Sequence, residues 1–194
     1  MKQVLNGKYW DQRYINVETG WDLGQCSPPI KAYIDQLTDK NISILIPGCG
    51  NAHEAEYLIA SGFKNVTVID VSPTLISALK LQFHQTTLQI ELADFFEYSG
   101  SFDLILEQTF FCAIDPSMRE DYVNKVFKLL KPKGKLVGLL FNKLFEKEGP
   151  PFGGTSQEYQ KLFEQYFKFN TFSMAYNSVQ PRSQTELFIN FSKL

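Results

Sequence analysis

Hydrophobic positions along the chain follow two spacings in alternation, one close to 2 residues and one close to 3.6 residues. Short apolar runs predict buried β-strands, and they lie at 42–46, 66–70, 88–92, 102–108 and 135–141. Segments with apolar residues at helical spacing predict α-helices, and they lie at 52–62, 72–83 and 115–130. Alternating strands and helices of this kind predict an α/β fold, with a parallel sheet, helices on both of its faces and right-handed connections.

The end of the chain has a different pattern. Two strand-like runs, 167–176 and 185–191, flank the turn-rich segment 177–184. This arrangement predicts an antiparallel hairpin. The chain shows no internal repeat, low-complexity tract or linker, so we expect residues 1–194 to form a single domain.

Composition excludes several classes of protein. No apolar run approaches the roughly 20 residues that cross a bilayer, and the first residues are too polar for a signal-peptide core. The three cysteines, Cys26, Cys49 and Cys112, are odd in number and show no spacing pattern, which indicates reduced thiols. We therefore expect a cytoplasmic protein that does not associate with a membrane.

The distribution of charge gives no support for a nucleic-acid partner. The formal net charge is −2, and a cluster of lysines between 125 and 135 surrounds the end of a predicted helix. Cations at that place complement the helix dipole, so the cluster has an ordinary structural explanation. We expect a monomer whose partner is a small molecule.

A glycine-rich joint follows the first predicted strand. Gly48 and Gly50 lie in PGCG (47–50), and Asp70 ends the second predicted strand. Glycines at such a joint let a ligand approach the main chain. An acid at the end of the next strand can accept hydrogen bonds from both ribose hydroxyls of an adenosine. The pattern favours an adenosyl ligand; the alternative is a tight turn beside a solvated aspartate.

Two adenosyl ligands compete for this joint. A nicotinamide dinucleotide requires a third glycine where this chain has His53, and the helix start 51–56 carries two glutamates that disfavour a pyrophosphate. S-adenosylmethionine has no phosphate, and its positive sulfonium tolerates nearby acids. The pattern therefore favours S-adenosylmethionine and methyl transfer. A nicotinamide-dependent reductase and a non-catalytic adenosyl-ligand binder stay open as alternatives.

Several motifs occur in an order that resembles the thiopurine S-methyltransferase superfamily, and most closely its thiol and halide methyltransferase branch. The most specific are WDLGQCSPP (21–29) and FFCAIDP (110–116), and the others are PGCG (47–50), VIDVS (68–72), ADFF (93–96), LLKPKG (129–134) and GPPF (149–152). The resemblance implies a class I methyltransferase with S-adenosylmethionine as cofactor. It also implies a Rossmann-like, mostly parallel seven-stranded sheet that ends in an antiparallel hairpin.

The resemblance assigns cofactor contacts to five positions. Gly48 would lie against the methionine part, and Asp70 would hold the ribose. Asp94 would accept from the adenine amino group, while the Phe95 backbone N–H would donate to the ring. Gln108 would contribute its main chain beside the amino-acid end of the cofactor.

An aromatic segment lies near the N-terminus. Trp10 and Tyr14 are four residues apart and share one face of a helix, and Trp21 follows in a loop. The resemblance implies that residues 1–28 cover the cofactor, whose sulfonium is attracted to aromatic faces by about 0.5–2 kcal/mol. The alternative is a helix that docks two aromatic rings into the core.

The segment after the fourth predicted strand bears on the methyl acceptor. It reads EQTFFCAI (107–114) and lacks the Asn/Asp-Pro-Pro-aromatic motif of many nitrogen methyltransferases. We predict that Phe110, Phe111 and Phe152 form an apolar pocket for a small soft nucleophile, which is a thiol, hydrosulfide, thiocyanate or halide. The same superfamily offers thiopurines, aryl thiols and metalloid oxyanions as alternatives.

No residue pattern indicates a catalytic base or a metal. His53 lies at the glycine joint and His84 at a helix end, and Cys112 has no histidine partner in the pattern. The two histidines and three cysteines show no metal-ligand spacing. We therefore predict direct, metal-free, in-line transfer without a certain catalytic residue.

Overall fold

The computed structural model describes residues 4–194, so the first three residues of the predicted covering segment lie outside the described part. Seven strands form one sheet in the order β3-β2-β1-β4-β5-β7-β6. Their bounds are β1 Ser43–Pro47, β2 Asn65–Asp70, β3 Gln89–Leu92, β4 Phe102–Gln108, β5 Leu130–Phe141, β6 Phe167–Met174 and β7 Glu186–Lys193. Each strand lies where the apolar pattern predicts one.

The direction of the strands confirms the predicted sheet. Strands β1 to β5 all run parallel to one another. Strand β7 lies between β5 and β6 and runs antiparallel to both. The sheet is therefore mostly parallel and ends in the predicted antiparallel hairpin, and its order reverses beside β1, which is where α/β sheets bind ligands.

Within residues 4–194, six α-helices surround the sheet. Their bounds are α1 Gly7–Ile15, α2 Pro28–Ile34, α3 His53–Ala60, α4 Pro73–Gln82, α5 Arg119–Leu129 and α6 Ser156–Phe163. Among residues 4–194, no helix is long and apolar enough to cross a membrane. Two helices, α2 and α6, are absent from the sequence predictions. Helix α6 begins with a capping box between Thr155 and Glu158, a signal that was present in the sequence.

Two predicted boundaries differ from the structure. Strand β5 begins at Leu130 instead of residue 135, because Leu130 pairs with Phe102 ahead of a register shift. The predicted helix 115–130 begins as a 3₁₀ turn, Pro116–Met118, before α5. Asp115 caps that turn by accepting a hydrogen bond from the backbone N–H of Ser117 at 3.0 Å.

Both faces of the sheet are buried. On β1, Ile44 and Ile46 belong to one apolar cluster, which includes side chains of α2, α3 and α4. Leu45 points to the other face and belongs to a second cluster with side chains of α5 and α6. Two covered faces leave only the carboxyl edge of the sheet for an open site, as expected for parallel sheets.

Candidate active site

A cavity of about 890 Å³ opens at the carboxyl ends of the parallel strands. Its wall includes every residue predicted to contact the cofactor, namely Trp10, Tyr14, Trp21, Gly48, Gly50, Asp70, Asp94, Phe95 and Gln108. The structure therefore brings together positions that are spread over almost 100 residues of sequence.

The glycine joint forms one wall of the cavity. Gly48 has φ of +55°, a left-handed conformation that favours glycine, and a Cβ there would lie 2.3 Å from the Phe110 ring. Gly50 also has a positive φ and faces the Tyr14 hydroxyl. The absence of side chains at these positions lets aromatic groups and a ligand approach the main chain.

Asp70 ends β2 beside this joint and is only 7% exposed. Its Oδ1 accepts a hydrogen bond from the Ser72 backbone N–H at 3.0 Å. Burial raises the pKa of Asp70 to about 6, although backbone hydrogen bonds, including one from Gly50, oppose that shift. The carboxyl group is therefore fixed in position and ready to accept further hydrogen bonds.

Asp94 and Phe95 follow β3 and line the same cavity. Asp94 is exposed, and its Oδ1 accepts a hydrogen bond from the Phe96 backbone N–H at 2.8 Å. The Phe95 ring is 3% exposed and packs against Phe110, with 5.1 Å between ring centroids. A polar group and an apolar ring thus adjoin at this end of the cavity.

Gln108 carries a polar atom that has no partner within residues 4–194. Its Oε1 is buried without a hydrogen bond, and its side chain lines the cavity. A buried acceptor left unpaired costs on the order of 1–3 kcal/mol, so it favours a ligand that donates a hydrogen bond. The sequence motif assigned only main-chain contacts to Gln108 and gave no signal for this feature.

The aromatic side chains of α1 lie over the cavity. Trp21 meets Trp10 and Tyr14 edge-to-face, with ring centroids 5.6 and 5.8 Å apart. No side chain of α1 falls in the fully buried class, although Tyr14 also packs against the apolar cluster on one face of the sheet. Burial raises the pKa of the Tyr14 phenol, which keeps it neutral.

Two sets of polar contacts attach the N-terminal segment, which contains α1 and Trp21, to the rest of the fold. Asp11 on α1 accepts hydrogen bonds from the Ser72 hydroxyl at 2.6 Å and the Thr74 backbone N–H at 2.9 Å. Arg182, between β6 and β7, donates to the Trp21 carbonyl at 2.6 Å. The second contact joins residues 161 positions apart in sequence, and no local pattern predicts it.

Asp22 makes a third attachment. Its carboxylate accepts from the Gly24 backbone N–H at 2.8 Å and pairs with His53 Nε2 at 2.7 Å. Asn51 also donates to it. Burial alone would raise the pKa of Asp22, but these hydrogen bonds outweigh burial and hold the pKa below its usual range. His53 therefore contacts the N-terminal segment through Asp22 and also lines the cavity.

The aromatic residues predicted for the acceptor pocket have different positions. Phe110 lines the cavity, but Phe111 and Phe152 are absent from its wall. Phe111 is 1% exposed and packs against Tyr122 and Tyr159 in the core. The structure therefore does not place Phe111 and Phe152 in the pocket. Phe111 differs from Phe110 because the two consecutive side chains after β4 point in different directions, and Phe152 belongs to a separate loop after β5. The prolines of GPPF, instead of its phenylalanine, face the cavity.

A buried carboxyl group supports this wall from behind. Glu107 is fully buried and accepts hydrogen bonds from the backbone N–H groups of Phe110 and Phe111 at 2.8 and 2.9 Å. The Tyr122 hydroxyl donates to it at 2.6 Å. Burial raises the pKa of Glu107 to about 7, against the effect of these hydrogen bonds.

The remaining candidates for chemistry have structural surroundings. Cys112 is 7% exposed, its thiol lies 3.3 Å from the Thr109 carbonyl, and burial raises its pKa to about 12. His84 lies on an exposed helix end and contacts the Leu81 carbonyl. Within residues 4–194, no group of three His, Cys, Asp or Glu side chains is arranged to hold a metal ion.

Comparison with known proteins places these features in a family. The sequence model of thiopurine S-methyltransferase matches residues 5–191 of the chain. Probable thiol methyltransferase 2 of Arabidopsis thaliana is 32% identical over 159 residues, which are 79% of this chain and 70% of that protein. Thiocyanate methyltransferase 1 of the same plant is 29% identical over 153 residues, which are 74% of this chain and 65% of that protein. The chain thus spans about two thirds of these relatives.

A solved structure shares the fold. The Burkholderia thailandensis 1,6-didemethyltoxoflavin-N1-methyltransferase, determined with its substrate and S-adenosylhomocysteine, superposes with a TM-score of 0.75 at 18% identity. The match covers 96% of this chain and 86% of that chain. The sheet and its helices are therefore those of a class I methyltransferase.

Proposed function

The chain belongs to the thiopurine S-methyltransferase family, and we propose that it transfers a methyl group from S-adenosylmethionine to a small soft nucleophile, namely a thiol, hydrosulfide, thiocyanate or halide. One observation carries the proposal. A single cavity joins a fixed carboxyl group and an unpaired acceptor, Asp70 and Gln108, to an apolar wall around Phe110. The names of the thiol and thiocyanate methyltransferase relatives support this acceptor class.

We expect S-adenosylmethionine to occupy this cavity. Asp70 would accept from the ribose hydroxyls, and the glycine joint would lie against the methionine part. Asp94 and Phe95 would bracket the adenine, the first as an acceptor and the second through its backbone N–H. The unpaired Oε1 of Gln108 would accept from the cofactor ammonium, which satisfies an atom that otherwise stays unpaired.

The acceptor end works by excluding water. When bound, the cofactor would supply a methyl group on a positively charged sulfur. An incoming anion would bond to that carbon while the carbon–sulfur electron pair returned to the sulfur. Opposite charges cancel in this displacement, so an apolar wall such as Phe110 favours it over the separated, hydrated ions. A thiol must also lose its proton to solvent, whereas a halide or thiocyanate needs no base.

We expect the N-terminal segment to open for the cofactor and close over it. Limited proteolysis before residue 28 should slow on addition of S-adenosylhomocysteine, and tryptophan fluorescence should change, because both tryptophans line the cavity. The Asp22→Asn variant weakens one attachment and should be cleaved faster without ligand. Equal cleavage rates with and without ligand would contradict a movable cover.

A radiolabelled methyl-donor assay with headspace analysis tests the acceptor class. We expect methyl iodide, methyl thiocyanate or methanethiol from iodide, thiocyanate or hydrosulfide. The rate with iodide or thiocyanate should change little with pH, because neither ion titrates near neutrality. The rate with a thiol should rise toward the pKa of that thiol.

Other products would change the assignment within the family. Methylation of a bulky aryl thiol or thiopurine alone would place the activity with that acceptor class, and methylation of a nitrogen acceptor alone would exclude soft-nucleophile transfer. Binding of S-adenosylhomocysteine without turnover of any acceptor would indicate a non-catalytic binder. If the reduced nicotinamide dinucleotide raised the melting temperature of the protein and S-adenosylhomocysteine did not, S-adenosylmethionine would be excluded as the cofactor.

A further inference from the structure

The loop after β5 places its charges unevenly around the cavity. It carries four charged side chains, Lys143, Glu146, Lys147 and Glu148. All four are exposed, and the two lysines line the cavity whereas the two glutamates do not. Because the loop as a whole is neutral, this separation of signs comes from the way it folds.

Three of the five acids that line the cavity lie at or beside its glycine joint. Asp70 ends β2, and Asp22 and Glu54 adjoin the joint, whereas Asp94 follows β3 and Asp115 follows β4. Each of these carboxyl groups accepts a backbone hydrogen bond. Within residues 4–194, neither Lys143 nor Lys147 forms an ion pair. Most carboxyl groups of the cavity therefore lie around the glycine joint and the ends of β2 and β3, and the two lysines of the loop after β5 form a basic rim without an ion pair within residues 4–194.

The base of the loop is fixed. A Cβ at Gly153 would lie 1.5 Å from the Lys143 carbonyl oxygen, so only glycine allows this close approach. The Arg119 guanidinium donates to the Gly153 carbonyl at 2.7 Å. The Lys143 ammonium lies 5.6 Å from the centre of the Phe145 ring, which also lines the cavity. These contacts hold Lys143 at the rim.

A short chain of contacts connects this rim to the covering segment. Phe145 meets Phe141 at 5.2 Å between ring centroids, and the Arg182 guanidinium lies 5.8 Å from the Phe141 ring. Arg182 in turn donates to the Trp21 carbonyl. Unlike the lysines, Arg182 is already occupied, because it also pairs with Glu186 at 3.5 Å.

We propose that Lys143 and Lys147 form a basic mouth that admits acceptors as anions and discriminates against cationic ones. The inference rests on the proposed function, and it names the residues that determine which acceptors enter the cavity according to their charge. Two unit charges about 10 Å from an entering ion change its local concentration by about threefold to fivefold at low ionic strength, and salt screens the effect. The mouth thus acts on the capture of the acceptor and not on the cofactor.

A charge series of thiols tests the proposal. The thiols 3-mercaptopropionate, 2-mercaptoethanol and cysteamine share a two-carbon scaffold and carry a negative, neutral and positive group. For each thiol, kcat/KM of the Lys143→Gln/Lys147→Gln variant is divided by kcat/KM of the wild type. Differences in the intrinsic reactivity of the three thiols cancel in this ratio. Because each thiol reacts as its thiolate, the three acceptors carry two, one and no net negative charges. At low ionic strength we expect this ratio to fall about threefold to fivefold for 2-mercaptoethanol, to fall further for 3-mercaptopropionate and to stay close to one for cysteamine.

Glu146→Gln/Glu148→Gln is the matched control, because it changes two charges of the same loop outside the cavity. This control variant should leave the relative kcat/KM values of the three thiols close to those of the wild type. High salt should remove the difference between the lysine variant and the wild type. Equal ratios across the three thiols would overturn the basic mouth and leave the proposed methyl transfer intact.

A second measurement does not depend on turnover. Iodide quenches tryptophan fluorescence as an anion and acrylamide does so as a neutral molecule, and the two tryptophans both line the cavity. The lysine variant should lower the iodide quenching constant about twofold and leave that of acrylamide unchanged. This shift without methylation of any thiol would support the mouth and contradict the proposed acceptor class, whereas unchanged iodide quenching would overturn the mouth.

Discussion

Replacing Asp70 with alanine is expected to weaken the binding of S-adenosylhomocysteine about tenfold to a hundredfold. The carboxylate ends β2 at the cavity wall and would accept two ribose hydrogen bonds. Charge-assisted bonds of this kind contribute on the order of 1.5–3 kcal/mol, which corresponds to that change in affinity. Isothermal titration calorimetry measures it, and an unchanged dissociation constant would show that Asp70 does not hold the ribose.

Matched variants separate binding from folding in this experiment. Asp70→Asn keeps the volume of the side chain and one acceptor oxygen, so its loss of affinity should be smaller than that of the alanine variant. Asp39 accepts from the Asn41 backbone N–H, two residues ahead, as Asp70 does from Ser72, but it lies in an exposed loop outside the cavity. Asp39→Ala should therefore leave the affinity unchanged.

The pH dependence of binding gives an independent test of the same group. Ribose hydroxyls donate to the ionised carboxylate, so binding lowers the pKa of Asp70 from about 6 in the free protein. Binding then releases a proton below that pH, and affinity should fall as the pH drops through 6. Asp70→Asn cannot titrate and should remove this part of the pH dependence.

The periodic parts of the chain could be predicted because their physics is local. Strands buried on both faces need continuous apolar runs, and amphipathic helices need apolar residues at helical spacing. The glycines at 48 and 50 and the acid at 70 stand at strand ends, and in a parallel sheet those ends meet at one edge. Sequence pattern alone therefore indicated the location of the cavity and one wall of it.

The acceptor wall could not be predicted in the same way. After β4 the chain leaves regular structure, and Thr109 adopts a left-handed backbone with φ of +59°. The next two side chains consequently diverge, so that Phe110 enters the cavity and Phe111 enters the core. Without a repeating period, neither spacing nor a motif can tell which of two adjacent phenylalanines faces a ligand.

Contacts between distant segments were also beyond the sequence. Arg182 reaches the carbonyl of Trp21, and Asp11 reaches the first turn of α4. The lysines of the basic mouth lie in a loop with no net charge, so the sequence does not show that the lysines line the cavity and the glutamates do not. These features depend on how the ends of the sheet fold together, which only the three-dimensional structure shows.

The stability of the protein should fall as the pH rises from 5 to 7.5, and Glu107 should account for a large part of the loss. Burial raises the pKa of this carboxyl group from 4.5 to about 7, so the folded state holds its proton where the unfolded chain has released it. The stabilisation is complete below pH 4.5 and disappears as the pH passes through 7. From these two pKa values the loss over that range is about 2 kcal/mol.

Glu107→Gln isolates this contribution. The amide oxygen can still accept from the backbone of the Phe110 loop, and its NH₂ group can donate to the Tyr122 oxygen, so the network persists without a titrating proton. Urea unfolding at pH 5 and at pH 7.5 should show a smaller decrease in the free energy of unfolding for this variant than for the wild type.

The Glu97→Gln variant, which changes an exposed glutamate, serves as the control and should behave as the wild type. Since Asp70 and Glu186 also have raised pKa values, only the difference between the two proteins reports on Glu107. An identical decrease in both would mean that this carboxyl group does not titrate in the range, and that the wall behind Phe110 is held by an ionised glutamate throughout.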